Sequence, residues 1–251
     1  MSDLRVRIVT YPELASTNTT AAQMGDEAAH GDVIRAVAQT AGRGQRGNSW
    51  ESEPGKNATF SLVLRPVTWP AQRQFELSMA VSLAICRELD DILNTPGSVK
   101  VKWPNDIYVG DKKLCGILIE NVLTGIKIER MIIGAGINLN QTQFVSDAPN
   151  PVSLKQISGA DYDVEGVVRA VCARIVSEVE SYISQPDSER LSAEYHARLW
   201  RNDGRLYRWL DTASGTIFEA SIQGVAATGM FTVCASDGCR TFAFKEIQAV
   251  L

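Results

Sequence analysis

The sequence lacks several features that mark whole classes of protein. No stretch of 18 apolar residues occurs in its 251 positions, and the first 14 residues lack the continuous apolar segment of a secretion signal. Lys and Arg number 25 against 29 Asp and Glu, so the formal charge of −4 provides no overall positive field for nucleic acid or an acidic membrane. We therefore expect a cytoplasmic protein that binds neither DNA nor a membrane, with any anion site formed locally.

Residues typical of hydrolases and zinc proteins are also scarce. The two histidines, His30 and His196, do not lie beside a serine or cysteine in a nucleophile motif, and no His/Cys spacing indicates zinc. Five cysteines form an odd set without a CxxC pair. We interpret them as buried thiols in a reducing compartment: Cys86, Cys115, Cys172, Cys234 and Cys239.

Hydrophobic periodicity and turn residues divide the chain into a larger and a smaller part. In the larger part, strands are predicted at 6–11, 33–39, 58–64, 99–103, 107–109, 114–122 and 126–139. Helices are predicted after residue 18, at 75–93, at 164–183 and from 186 to about 200. Short turns between the later strands indicate antiparallel hairpins. Short β-rich runs broken by glycine then predict a small barrel. The expected fold is α+β, with a mixed sheet-and-helix domain at 1–202 and the barrel at 203–251.

The segment from Gly42 to Gly47, GRGQRG, matches the pattern GxGxxG of dinucleotide-binding turns. Such a turn needs a helix directly after its last glycine, whereas NSWESEPG follows here. A kinase-type glycine loop fits better, but the chain has no HRD or DFG triplet. We interpret the segment as a loop whose amides, Arg43 and Arg46 wrap an anion; a solvated surface loop is the alternative.

A second segment contains KWPND at 102–106 and KKLCGILIE at 112–120. Asp106 follows a strand, where a carboxylate often caps its own turn. Lys113 precedes an apolar strand, so its ammonium either lies at the edge of a site or extends into solvent.

Two further segments carry open alternatives. In GAGINLN at 134–140, two glycines in an apolar strand indicate close approach by a ligand or by backbone. Asn138 either binds a ligand or ends the strand. The run at 16–18, Ser-Thr-Asn, is most simply a cap of the first helix, which does not exclude contact with a ligand.

Taken together, these segments resemble the biotin protein ligases, the biotin–[acetyl-CoA-carboxylase] ligase family. The signatures are GRGQRGNSW at 42–50, KWPNDIYVGDKKLCGILIE at 102–120 and GAGINLN at 134–140. The resemblance implies a catalytic domain related to class II aminoacyl-tRNA synthetases, followed by an SH3-like barrel. It also implies a two-step reaction. Biotin and MgATP give biotinyl-5′-AMP and pyrophosphate, and a lysine of a biotin carboxyl carrier protein domain then attacks the adenylate. No enzyme nucleophile is needed, since positioning and charge stabilisation carry the catalysis.

The resemblance also implies roles for individual residues. Biotin would contact Ser16, Thr17, Asn18, Gln39, Gly42, Arg43, Gly44, Gln45, Lys113 and Gly116. ATP and the adenylate would contact Arg43, Arg46, Trp50, Asn105, Asp106, Lys113 and Asn138. The catalytic set would be Lys113, Arg43, Arg46 and Asp106, with Asp106 also holding Mg²⁺. Residues 141–153, including Phe144 and Val145, occupy the place of an adenine-covering loop.

Some features qualify the resemblance. Gln45 and Asn48 stand where the family often has arginine, so we expect loop closure to depend less on charge and retention of the adenylate to be altered. Because 15 residues precede Ser16, too few for a helix-turn-helix domain, repressor activity is not expected. The closest alternative is a lipoate or octanoate ligase or transferase on a related fold; a biotin sensor that does not consume ATP is another. Whether the chain forms a homodimer is left open.

Overall fold

A seven-stranded sheet forms the centre of the protein. The computed structural model describes residues 6–66, 69–146 and 150–250, without the side chain of Arg46. The strands are β1 (Arg7–Leu14), β2 (Asp32–Gln39), β3 (Ala58–Leu64), β4 (Val99–Lys102), β5 (Asp106–Val109), β6 (Lys112–Thr124) and β7 (Lys127–Ile137). They lie in the order β1-β2-β3-β7-β6-β5-β4. The pair β1 and β2 is parallel and the other neighbouring pairs are antiparallel, so the predicted mixed sheet and hairpins are confirmed.

Helices cover the two faces of this sheet unequally. The helices are α1 (Thr17–Gln23), α2 (Gln74–Leu93), α3 (Leu154–Ser158), α4 (Val164–Ser184) and α5 (Ser188–Arg198). The long helices α2 and α4 bury their apolar sides in the main core, which includes alternate residues of β3 such as Phe60 and Leu62. On the opposite face, the 7-residue α1 packs on Ile34, Val63 and Ile132. Because α1 is short, the part of that face over β4 to β7 is left for a site.

A second, smaller sheet follows in the chain. Its strands are β8 (Tyr207–Asp211), β9 (Ile217–Val225), β10 (Phe231–Ala235), β11 (Gly238–Phe242) and β12 (Ile247–Ala249), all antiparallel, in the order β11-β10-β9-β8-β12. Trp103, directly after β4, joins the two sheets. Its ring stacks on Phe231 with centroids 4.9 Å apart, and its Nε1 donates to the carbonyl of Gly229 at 3.1 Å. This contact places the second sheet beside the open face.

The cysteine interpretation is correct for three residues and wrong for two. Cys86, Cys115 and Cys172 are fully buried free thiols, and burial raises the pKa of Cys86 to about 12. Cys234 and Cys239 instead form a disulfide. They lie directly opposite each other on β10 and β11, with Cα atoms 4.0 Å apart, a proximity that only the hairpin register creates.

One helix was not predicted. The short α3 begins with a capping box, in which the Ser153 hydroxyl accepts from the Gln156 N–H and the Gln156 side chain accepts from the Ser153 N–H. Five residues are too few to show helical periodicity in the sequence. No helix in the described ranges is long and apolar enough to cross a membrane.

Candidate functional site

Four neighbouring strands bring motif residues into one row on the open face. Lys102 on β4 is paired with Asp106 on β5, and Asp106 with Gly116 on β6. Gly116 is in turn paired with Gly136 on β7. Because directly paired residues share a face of the sheet, the row places a cation, a carboxylate and a floor without side chains next to one another. These residues line a cavity of about 260 Å³.

Lys113 joins this row through an irregularity in strand pairing. Three positions separate it from Gly116, so regular alternation would place the two on opposite faces. The register between β5 and β6 shifts at Tyr108, which pairs with Lys113, and the shift turns the lysine toward Asp106. The Lys113 Nζ lies 2.8 Å from Asp106 Oδ1, and both side chains are about four-fifths buried. Lys113 therefore lines the cavity instead of extending into solvent, through a bulge that the sequence does not reveal.

The glycines of the third motif make room for side chains. A Cβ at Gly136 would lie 2.3 Å from Trp50, and a Cβ at Gly116 would lie 2.9 Å from it. At Gly134, a Cβ would lie 2.1 Å from Asn18 Oδ1. The predicted close approach is confirmed, but side chains approach here, rather than a ligand or backbone. The Trp50 Nε1 is buried without a hydrogen-bond partner among the described residues.

The helix-cap interpretation of residues 16–18 is wrong. Ser16 precedes α1, but its side chain makes no capping hydrogen bond. Thr17 and Asn18 lie inside α1, buried against β3, where Ser61 Oγ is 2.8 Å from Thr17 Oγ1 and 2.6 Å from Asn18 Oδ1. The Thr17 N–H donates to Gln39 Oε1 at 2.8 Å. The polar side chains therefore form hydrogen bonds with the sheet instead of capping the helix, and they make up a neutral wall of the cavity.

A carboxylate that the sequence analysis did not single out connects this wall to the glycine loop. The Asn18 Nδ2 donates to Glu120 Oε2 at 2.7 Å, and Arg43 Nη2 donates to Glu120 Oε1 at 2.9 Å. Strand alternation from Gly116 through residue 118 was the available signal for Glu120, because it places all three on one face. Arg43 lines the cavity, yet its guanidinium pairs with Glu120 in this structure.

The glycine loop folds back on itself. Arg43 and Ser49 form an antiparallel bridge, and the Trp50 N–H donates to the carbonyl of Gly42 at 3.0 Å. A Cβ at Gly42 would lie 2.6 Å from the Trp50 carbonyl oxygen, so the chain reversal requires glycine there. Only a single 3₁₀ turn, Gln45–Gly47, interrupts the loop, in agreement with the rejection of a dinucleotide-binding turn. Gly44, Gln45 and Asn48 line the cavity, whereas the predicted role of the Arg46 side chain lies outside the described part of the chain.

The two predicted asparagines differ in placement. Asn105 lines the cavity, and its Nδ2 donates to the carbonyl of Ile117 at 2.7 Å. Asn138 lies beyond Gly136 and is not part of the cavity wall; its Nδ2 donates to the carbonyl of Val152. The Asn138 Oδ1 is buried and has no hydrogen-bond partner among the described residues.

The stretch after β7 is anchored to the segment that follows the glycine loop by two further residues that the sequence analysis missed. Gln141 is buried, and its Oε1 accepts from Asn57 Nδ2 at 2.6 Å. Glu51 accepts the N–H groups of Val145 and Ser146. Burial raises the pKa of Glu51, but these hydrogen bonds outweigh it and hold the pKa below its usual value. Residues 147–149 of the predicted adenine-covering loop lie outside the described residues.

The charges of the cavity are few. Of the residues that the structure describes, Asp106 is the one carboxylate in the cavity wall, which also contains Lys102, Lys113 and Arg43. Across the same ranges there is no group of three or more His, Cys, Asp or Glu side chains that would bind a metal by itself. The cavity therefore combines a net positive end with a neutral hydrogen-bonding end.

Comparisons with known proteins agree with this arrangement. The sequence model of the biotin/lipoate A/B protein ligase family matches residues 12–138. A biotin–[acetyl-CoA-carboxylase] ligase of Mycobacterium tuberculosis is 31% identical over 194 residues, which are 74% of this chain and 69% of that protein. The bifunctional ligase/repressor BirA of Bacillus subtilis is 32% identical over 170 residues, 65% of this chain and 51% of BirA. The match thus spans about half the length of BirA.

The fold is also found in a solved structure. The biotin protein ligase from Aquifex aeolicus, in complex with biotin and ATP, superimposes with a TM-score of 0.80 at 23% identity, covering 97% of this chain and 99% of that one. The two proteins thus share one fold, in which a mixed sheet is followed by a second, antiparallel sheet. By its sequence, the chain belongs to the biotin/lipoate A/B protein ligase family.

Proposed function

We propose that this protein is an ATP-dependent biotin ligase. It forms biotinyl-5′-AMP from biotin and ATP, then transfers the biotinyl group to a lysine of a biotin carboxyl carrier protein domain. The observation that carries the proposal is the Lys113–Asp106 pair beside a glycine floor, in a cavity whose other end is neutral. The substrates of the A. aeolicus structure and the activity named for the M. tuberculosis relative support it.

The neutral end suits the ureido ring of biotin. Ser16, Thr17, Asn18 and Gln39 are uncharged donors and acceptors, and a neutral ring is bound best by neutral partners that satisfy its hydrogen bonds. Ser61 holds the side chains of Thr17 and Asn18, and the Thr17 N–H holds that of Gln39, before the ligand arrives. Less conformational entropy is then lost on binding.

The positive end serves the first half-reaction. One oxygen of the biotin carboxylate attacks the α-phosphorus of ATP, and the bond to pyrophosphate breaks with its electron pair. Both reactants are anionic, so Lys113 reduces their repulsion and stabilises the charge that develops. Arg43 provides a second cation when its guanidinium leaves Glu120 and binds the ligand.

The second half-reaction needs no enzyme nucleophile. The acceptor amine attacks the carbonyl carbon of the adenylate, AMP leaves with the electron pair of the broken C–O bond, and the amine loses a proton. Trp50 and Asn105, which line the cavity, are the proposed contacts of the nucleotide, together with Arg46, whereas Asn138 does not line the cavity and is left out of this set. Gly44, Gln45 and Gly116 line the cavity and supply close backbone contact with the ligand, whereas Gly42, which was also predicted to contact biotin, packs against the Trp50 carbonyl and does not line the cavity.

Mg²⁺ fits this site as an ion held mainly by substrate. Magnesium is usually bound by one or two carboxylates together with phosphate oxygens and water. Asp106 supplies one carboxylate beside the proposed phosphate position, and the chain offers no multi-ligand cluster in the described ranges. When bound, the ion neutralises phosphate charge.

We also propose a division into a catalytic domain at 1–202 and a C-terminal domain at 203–251. The change from mixed to purely antiparallel sheet at this point supports the boundary. The resemblance to biotin ligases supports assigning the first domain to the class II aminoacyl-tRNA synthetase-like type and the second to the SH3-like type.

The test is ATP–pyrophosphate exchange with Mg²⁺ and either biotin, lipoate or octanoate. Of the three acids, we expect only biotin to support exchange. When a carrier domain is added, one biotinyl group should then be found on its lysine by mass spectrometry. Exchange only with lipoate or octanoate would support the alternative ligase. Biotin binding without any exchange would identify a sensor and contradict the proposal.

A further inference from the structure

Lys102 is a cation that the reaction as described does not use. Its Nζ donates to the hydroxyl of Tyr108 at 2.9 Å, and it lies 4.7 Å from the Tyr108 ring centroid and 5.2 Å from that of Trp200. Within the described ranges, no carboxylate oxygen lies within ion-pair distance of this Nζ. An ammonium held over aromatic rings and largely removed from water retains the capacity to bind an anion.

The row on the sheet places Lys102 beside the reaction centre. Asp106 lies between Lys102, its partner on β4, and Lys113, whose Nζ is 2.8 Å away. Two lysines therefore flank one carboxylate, and one positive charge remains uncompensated among the three.

The strand order determines on which side of the reaction centre Lys102 lies. The neutral wall lies over β3 and β7, Lys113 and Asp106 lie on β6 and β5, and Lys102 lies on β4 at the edge of the sheet. Neighbouring strands are about 4.8 Å apart, so the backbone of Lys102, two strands beyond that of Lys113, is roughly 10 Å farther from the neutral wall. In phosphoryl-group substitution, the attacking and leaving oxygens lie approximately in line on opposite sides of the phosphorus. An attack from the side of β7 therefore directs the leaving group toward β4.

The cavity that Lys102 lines also borders the second sheet. Its wall includes Trp209, Phe231, Ile247 and Gln248 of that sheet, together with Trp103 and Trp200. Aromatic and aliphatic walls exclude water, and a single charge is more effective there than in solvent.

We propose that Lys102 binds the β- and γ-phosphates of ATP and receives them as pyrophosphate. The assignment rests on the proposed function. As the bond between the α-phosphorus and the bridging oxygen breaks, negative charge grows on that oxygen, and the ammonium of Lys102 stabilises it. Lys102 is thus a substrate contact of the first half-reaction and has no ligand in the second, from which pyrophosphate is absent.

The experiment compares Lys102→Met, Lys102→Arg and the control Lys112→Met in both half-reactions. Methionine keeps an unbranched side chain between the rings, and Lys112 is exposed at the start of β6. In biotin-dependent exchange, we expect Lys102→Met to raise the KM for pyrophosphate and lower the rate of adenylate formation by about 10- to 100-fold each, the range for loss of one charged hydrogen-bond donor. Lys102→Arg should recover part of this loss, and Lys112→Met should match the unmodified protein.

The second half-reaction separates substrate binding from a structural role. With biotinyl-5′-AMP supplied directly, transfer to the carrier domain should proceed at the same rate in Lys102→Met as in the unmodified protein. Equal loss of both half-reactions, or no change in the KM for pyrophosphate, would overturn the inference. Failure of the unmodified protein to catalyse biotin-dependent exchange would instead overturn the proposed function.

A measurement on the unmodified protein covers the case in which Lys102→Met does not fold. Lysines are acetylated with and without inorganic pyrophosphate and Mg²⁺, and modified sites are quantified by mass spectrometry. We expect pyrophosphate to protect Lys102 and not Lys112. Equal modification of Lys102 under both conditions would contradict the assignment.

Discussion

The indole of Trp50 occupies the space that a side chain at Gly136 would need, with only 2.3 Å between Trp50 Cε2 and a Cβ at that position. The same ring lies over Gly116 on the neighbouring strand. Gly116 on β6 and Gly136 on β7 leave space for the Trp50 ring because they have no side chains. Since Trp50 ends the glycine loop, these two glycines determine the position of that end of the loop.

Gly136→Ala should displace Trp50 from the floor of the cavity. The backbone of β7 accommodates alanine, so we expect the thermal midpoint to change little while kcat/KM for adenylate formation falls by at least about 10-fold. The two residues are in contact, so their effects should not add. In a protein that already carries Trp50→Ala, Gly136→Ala should lower kcat/KM by a much smaller factor. If it lowers kcat/KM by the same factor there, the clash with Trp50 is not the cause.

Lys113→Ala should lower the rate of adenylate formation by about 100-fold or more, the effect of removing one preorganised charge-stabilising donor. Lys113→Arg should recover only part of the rate, because a planar guanidinium replaces a compact ammonium beside Asp106. Single-turnover adenylate formation and the thermal midpoint are measured together, with Lys112→Ala as the matched control. Normal rates in Lys113→Ala, or inactivity that simply follows unfolding, would remove Lys113 from the catalytic set.

Glu120→Gln should strengthen binding of the adenylate. The variant keeps an oxygen acceptor for Asn18 but removes the charge that holds Arg43 in the ligand-free protein. An ion pair of this exposure is worth about 0.2–1 kcal/mol, so affinity should rise by about 1.4- to 5-fold. Titration calorimetry with a non-hydrolysable adenylate analogue measures the change. Weaker binding would show that Glu120 acts mainly by orienting Asn18; Glu129→Gln, on β7, is the control.

Gln45→Arg should slow release of the adenylate. Gln45 lines the cavity, and an arginine there adds a charged donor within reach of the phosphate. A charged hydrogen bond of about 1.5–3 kcal/mol corresponds to roughly 10- to 100-fold slower dissociation. Release of radiolabelled biotinyl-5′-AMP after dilution gives the rate. An unchanged rate would indicate that loop closure in this protein does not depend on charge at position 45.

The stability of the larger part should depend on Asp90 at acid pH. Burial raises the pKa of this carboxylate, but its ion pair with Arg198 and the N–H groups of Val99 and Gly97 outweigh burial and lower the pKa. A lowered folded-state pKa contributes stability that is present above the unfolded value of about 3.9 and is lost as pH falls through the folded-state value.

Denaturant unfolding of Asp90→Asn from pH 7 down to pH 2.5 tests this contribution. At pH 7 we expect a loss of about 3 kcal/mol, because Arg198 is left without its partner. The difference from the unmodified protein should shrink below about pH 4. Asp91→Asn is the control, since that carboxylate is 63% exposed. A constant difference across the pH range would exclude titration of Asp90 as the cause.

Local sequence patterns were sufficient for most of the fold. A β-rich run placed β3 at 58–64, and helical periodicity placed the start of α4 at 164, each as observed. Motif residues such as Lys113, Trp50 and Gln39 were identified as members of one site and line one cavity. The strand and the helix depend on residues close together in the chain, where side-chain period and turn chemistry determine the conformation. The three site residues are far apart in the chain and were grouped by the resemblance to the biotin protein ligases.

Other features were decided only by tertiary structure. The bulge that turns Lys113 toward Asp106, the burial of Asn18 against β3, the Arg43–Glu120 pair and the Cys234–Cys239 disulfide all depend on strand register or on which elements pack together. A shift of one residue in register moves a side chain to the other face of a sheet, and no local pattern in this sequence specifies such a shift. The amino-acid sequence by itself thus determined which residues are available for the site. The packing of α1 on β2 to β7 decided which of their atoms meet, because the polar contacts of α1 with these strands join residues 22 to 102 positions apart.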